Sequence, residues 1–166
     1  MSRRDEIIEA AIRLAESSAP GEATLSVRAI AKEAGIDLEI QEFDDYQMPN
    51  TALNEGKIDA NYYMHEPFFN KQVEERGLKM EHGEGVHIEP YAAFSQKFDS
   101  VDQVPDGATV AIPNDATNGG RALLLLQQAG VIKLKPEAGI LATPKDIAEN
   151  PKNIKVRELE AATLPR

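Results

Sequence analysis

The stretch AIAKEAGIDLEI, Ala29–Ile40, decides how the chain is to be built. Its left half spaces apolar residues as a helix does, and Gly35 stands where helices commonly end in a left-handed turn. Its right half runs on as IDLEIQEF, which alternates apolar and polar side chains with the period of a strand. A turn from the first helix into another helix would make a small helical domain. A turn into a strand makes the start of an α/β unit, and the alternation predicts the strand.

Upstream, DEIIEAAIRLAE (residues 5–16) sets Ile7, Ile8, Ala11, Ile12, Leu14 and Ala15 on one helical face. SSAPGEAT then breaks the helix with Pro20 and Gly21, and Thr24 or Ser26 caps a second helix running to about Ala34. Downstream, strand and helix alternate. Asn50 caps a short helix ended by Gly56, a strand follows near KIDANYY (57–63), and a helix near EPFFNKQVEERG ends at Gly77. GVHIEPYAAFS (85–95) reads as a long strand or connector, and ATVAIP (108–113) as a buried strand. Next come a helix over GGRALLLLQQAG (119–130), a short strand VIKLK (131–135), a helix turn PKDIAEN (144–150) and a last strand NIKVREL (153–159). This order predicts a mainly parallel α/β sheet.

Composition narrows the function. The 166 residues, 42% hydrophobic and 28% charged, are enough for one globular domain with a real core. A net charge of −10 disfavours a broad nucleic-acid surface, which needs clustered Lys and Arg. The acidity lies mostly after residue 36, where 13 basic residues face 22 acidic ones. Without cysteine there is no disulfide, thiolate metal site or cysteine nucleophile. The start MSRRDEIIEAAIRL has no apolar signal core, and no run is long enough to span a membrane, so the chain as written is expected in the cytosol.

Two stretches carry chemistry. In IPNDATNGGRALLLL (112–126) a buried strand gives way to a polar loop and then to a helix expected to open at Gly119 and Gly120. Bared backbone N–H groups there suit an anion, and Arg121 can clamp a carboxylate with two parallel bonds. Thr117 and Asn118 are natural caps or ligand donors; plain capping beside a surface arginine is the competing reading. In DANYYMHEPFF (59–69), aromatic rings, Met64 and His65 bunch where a strand turns into a helix. Such a loop can wall a pocket for an apolar or thioether side chain, or it can be an aromatic core cluster. His65, His82 and His87 have no metal-ligand spacing, the serines lack a nucleophile context, and no catalytic constellation or cofactor is implied.

From Gly35 to Arg166 the chain resembles the methionine-binding lipoproteins of ABC importers, the NlpA/MetQ type. The likeness is collinear and runs through GIDLEIQEFDDYQMPNTALNEGKIDANYYMHEPF (35–68), the stretch 86–135 and TPKDIAENPKNIKVRELEAATLPR (143–166). It implies an α/β, type II-like periplasmic-binding-protein architecture in two lobes, about 37–90 and 91–166, incomplete at both ends and preceded by a short helical segment. It implies that Tyr62, Tyr63, His65 and Phe68 wall a methionine side chain. It also implies that Arg121 pairs with the ligand carboxylate, assisted by Asn114, Thr117 and Asn118. Tyr63 stands where the family usually has Phe, and Met64 where Gln is common. Its implied partners are L-methionine or a similar amino acid and an ABC permease, and its implied location is the cell envelope or periplasm.

Residues 1–36 resemble the start of a TetR-type repressor: two helices and a turn, without the helix that enters the major groove. The expected function is therefore amino-acid binding without chemistry. The alternatives are a DNA-binding regulator, or a composite or truncated chain with no intact activity.

Overall fold

The structure, a computed structural model, describes Glu9, Arg13 and residues 27–164. The expected helix over 5–16 and the caps Thr24 and Ser26 lie almost wholly outside the described residues. Its two described members, Glu9 and Arg13, are helical and pair at 3.7 Å, one turn apart.

The chain divides into two compact units, residues 1–42 and 43–166. In the first, helix α1 spans Val27–Glu33 and ends as the sequence predicts. Gly35, at φ +67°, lets its own N–H reach Lys32 O and the Ile36 N–H reach Ala31 O, which satisfies carbonyls the helix end would leave open. The strand expected after it is absent. Residues 36–43 belong to no sheet, and Leu38 and Ile40 are more than one-third exposed. The same correction holds for 57–63 and 85–95. Alternation records which residues would fit a pleated surface, but a strand exists only when a neighbour takes its hydrogen bonds. Val86 and Ile88, 75% and 92% exposed, have found no such surface among the described residues.

In the second unit, α2 (Met48–Asn54) and α3 (Glu66–Arg76) precede strand β1 (Thr109–Pro113), helix α4 (Ala116–Gln128) and strands β2 (Lys133–Leu134), β3 (Ile147–Glu149) and β4 (Lys155–Leu159). β1 pairs in parallel with β4, from Thr109 opposite Lys155 to Pro113 opposite Leu159. β2 and β3 form a separate antiparallel pair, so the helix turn expected over PKDIAEN is confined to a 3-10 turn at Pro144–Asp146 and the residues after it are a strand.

The core sits around α4. Ala122, Leu123 and Leu126 line its inner face at helical spacing, against Ile112 of β1, Val131, Ile132, Leu134, Ala142 and Ile154. Leu123 is completely buried.

α2 and α3 are joined by polar bonds. Arg76, at the end of α3, donates to Gln47 Oε1 and Thr51 Oγ1 at 2.9 Å each. Asn50 does not cap α2 as the sequence suggested. It lies inside the helix, fully buried, and accepts from Asn61 Nδ2 at 3.0 Å while donating to Met64 Sδ. The capping is done by Asp45, whose carboxylate accepts from the N–H groups of Gln47 and Met48. Met64 therefore belongs to this internal packing.

Candidate functional site

The site forms where the starts of α3 and α4 meet. α3 begins at His65 because Pro67 fixes the first turn and the His65 side chain caps it, its Nδ1 accepting from the Phe68 N–H at 3.1 Å. A nitrogen that accepts carries no proton, so this hydrogen-bond pattern assigns the His65 proton to Nε2. From there it donates to Asn118 Oδ1 at 2.9 Å.

α4 begins at Ala116, three residues earlier than the sequence predicts, because Asp115 is the cap. Its carboxylate accepts from the Asn118 N–H at 2.9 Å and from Thr117 Oγ1 and Asn118 Nδ2, both at 3.1 Å. Two corrections follow. Thr117 and Asn118 are clients of the cap rather than caps, and Thr117, 2% exposed, has its hydroxyl committed to Asp115. Gly119 and Gly120 lie a turn inside the helix and do not bare its first N–H groups. A Cβ on Gly119 would stand 2.8 Å from Pro113 O, and one on Gly120 would overlap the carbonyl of Ile140. The glycines are there so that strand and loop can come close.

Asn118 Oδ1 also accepts from Arg121 Nη1 at 3.3 Å, and Arg121 Nη2 reaches Glu89 O at 3.4 Å. The guanidinium lies over the Tyr91 ring, 4.7 Å from its centroid, and Tyr91 O–H donates to Asn118 O at 3.2 Å. Burial pushes the Tyr91 phenol above its ordinary pKa, partly offset by the neighbouring Arg121 charge.

Against α3 stands a ring cluster. Phe68 is buried and meets Tyr46, Tyr63 and His65 edge-on, with centroids 6.2–6.4 Å apart. Tyr63 O–H donates to Tyr46 O at 2.8 Å, and burial holds that phenol well above a tyrosine's usual range, with the Arg76 charge acting the other way. A cavity of about 220 Å³ opens between Tyr46, Phe68, Asn114, Asp115 and the Glu160–Ala162 turn.

Of the eight residues singled out from sequence, His65, Asn118 and Arg121 are in one hydrogen-bonded chain, Tyr63 and Phe68 in the ring cluster, Phe68 and Asn114 on the cavity, and Thr117 on the Asp115 cap. Tyr62 is apart, 70% exposed, its hydroxyl 2.7 Å from His87 Nδ1. Sequence reasoning missed Tyr46, Asp115 and Tyr91. Asp115 had a legible signal, an acidic residue three positions before the N–H it caps; nothing local marks Tyr46 or Tyr91.

His65 makes a separable prediction. His65→Asn keeps an N-cap acceptor and His65→Ala removes it, so urea unfolding should show the alanine variant about 1 kcal/mol less stable than the asparagine one. Equal stability of the two would rule out the cap.

Comparison with known proteins gives the family. The NlpA lipoprotein family matches residues 12–166, nearly the whole chain. The chain belongs to the NlpA lipoprotein family. The match takes in residues 12–36, most of the segment expected to resemble a TetR-type start, and nothing supports that expectation. The D-methionine-binding lipoprotein MetQ of Salmonella typhimurium is 50% identical over 138 residues, 82% of this chain and 51% of that protein. The crystal structure of a methionine-binding protein MetQ, 41% identical, superposes with a TM-score of 0.80 over 100% of this chain and 62% of that one. A nutrient-binding protein from Burkholderia cenocepacia, solved bound to methionine and 41% identical, gives 0.77 over 98% and 63%. The fold is thus the α/β architecture of NlpA-family substrate-binding proteins, and the chain spans about half the length of the curated relatives it matches.

Among the described residues no group of His, Asp or Glu is placed to hold a metal ion, and no helix is long and apolar enough to cross a membrane.

Proposed function

We propose that this chain forms part of the substrate-binding component of an ABC importer for methionine or a closely related amino acid. It binds its ligand and does no chemistry on it. What carries the reading is the junction of unlike surfaces at the start of α3: the rings of Tyr46, Tyr63 and Phe68 on one side, and the His65–Asn118–Arg121 chain on the other.

A thioether side chain favours the edges of aromatic rings, and a carboxylate favours a guanidinium fork. In this reading Tyr63, His65 and Phe68 wall the side chain, joined by Tyr46 and, after local closure, by Tyr62. Arg121 takes the carboxylate. Asn118 orients Arg121, Asn114 faces the ligand from the cavity rim, and Thr117 holds the Asp115 cap in place. His65 donates to Asn118 across the division between the two proposed lobes, about 37–90 and 91–166. That bond would therefore report whether the lobes are closed. The partner is the permease of the importer, and the working location is the cell envelope, since relatives are named as lipoproteins.

Isothermal titration calorimetry of the purified chain with L- and D-methionine tests the proposal. Dissociation constants in the micromolar range or tighter are expected for at least one enantiomer. Heats indistinguishable from dilution, in protein with a folded circular dichroism spectrum, would sink it.

A further inference from the structure

We infer that Tyr91 is a positioning residue for Arg121, setting its ring against the guanidinium so that N–H donors stay free for a carboxylate. The inference rests on the reading of Arg121 as the carboxylate clamp. Three contacts define the arrangement: the Tyr91 ring 4.7 Å below the guanidinium carbon, the Glu89 carbonyl 3.4 Å from Nη2, and Asn118 Oδ1 3.3 Å from Nη1.

Both hydrogen bonds are longer than the usual N–H···O range, so neither fixes the group well. The ring is the better anchor. Tyr91 is half-buried, packs against the core around α4 and is tied by its hydroxyl to Asn118 O at 3.2 Å. A cation over an aromatic face is held by the ring's charge distribution and needs no oxygen acceptor, so the contact uses none of the acceptors a carboxylate would compete with. Two of the five donors are used by Asn118 and Glu89, leaving three.

The backbone adds rigidity. Pro90 lies between Glu89 and Tyr91, fixing its own φ and restricting Glu89 to extended conformations. Fewer rotations are thereby left between the Glu89 carbonyl and Tyr91 than an ordinary linking residue would allow. The tripeptide 89–91 is a clamp on the arginine, built outside the helix that carries it.

The test separates this inference from the ligand assignment. In the ligand-free chain, proton NMR should show the Arg121 δ and ε protons shifted upfield by the ring current. Tyr91→Phe should keep that shift, and Tyr91→Leu should abolish it; an Arg121 spectrum unchanged in Tyr91→Leu overturns the inference without any ligand. Calorimetry then compares L-methionine with L-methioninamide, which lacks the carboxylate charge. Tyr91→Leu should weaken methionine about tenfold and leave the amide unchanged, while Tyr91→Phe stays within a few-fold of wild type. Equal loss for both ligands would make Tyr91 a purely structural residue and overturn the inference. Failure of the wild-type chain to bind methionine would count against the proposed function, and the NMR comparison would still decide the positioning role.

Discussion

Gly120→Ala is expected to be the most damaging glycine-to-alanine change among the described residues. The added Cβ would overlap the Ile140 carbonyl oxygen, stand 2.6 Å from its carbonyl carbon and lie 3.1 Å from Ala142 N. All three are backbone atoms, so no side chain can rotate away. The loop that carries them is closed by Ala142 N–H donating to Gly139 O and is anchored by Ala142, which is buried in the core around α4. Relief requires either α4 to lift off the core or Ala142 to leave it. Overpacking of well-filled sites costs roughly 1–3 kcal/mol, and a backbone neighbour puts this case at or above the upper end. For a domain of this size that means a fall in Tm of about 6–12 °C, or failure to fold. Gly83→Ala is the control, because a Cβ there meets nothing within 4 Å and the backbone is not left-handed. Thermal unfolding by circular dichroism reads both; equal Tm values would show that the Ile140 loop yields freely.

That prediction also shows where the sequence stopped being legible. Adjacent glycines before an arginine at a strand–helix junction read naturally as backbone bared for an anion. Their actual cause is a loop some twenty residues further along the chain, which no local pattern can register. Helix ends, by contrast, are local events. Gly35, Gly77 and Gly130 stop α1, α3 and α4 where the sequence placed them, because each adopts the positive φ a helix end favours. Strands behaved in the opposite way. ATVAIP, VIKLK and NIKVREL became strands because β1 finds β4 and β2 finds β3. The equally regular alternation after Gly35 found no neighbour among the described residues. The site divides along the same line. The residue types at 65, 118 and 121 could be named from chemistry, but Tyr91, 27 residues before the carbonyl to which it donates, needed the fold to bring it under the arginine.

Arg121→Gln is expected to cause the largest loss of ligand affinity with little loss of stability. The side chain is half-buried, its two hydrogen bonds are long, and the Tyr91 ring can pack on a glutamine amide nearly as well as on a guanidinium. Its removal should therefore cost the fold less than about 1 kcal/mol. A bound carboxylate, however, would lose a charge-assisted, two-pronged partner in a partly desolvated site, an interaction whose truncation typically costs 2–5 kcal/mol. Methionine affinity should thus fall on the order of 100-fold or more. Arg121→Lys isolates the geometry: it keeps the charge but presents a point donor in place of a fork and stacks poorly on Tyr91, so an intermediate loss is expected. Calorimetry on the three proteins, each matched for Tm, gives the ordering. If glutamine binds as tightly as arginine, the carboxylate lies elsewhere, and the acidic rim at Asp115 and Glu160 would then have to be reread as the centre of the site. If lysine instead matches arginine while glutamine fails, charge alone is sufficient and the ring beneath the guanidinium loses its role in recognition.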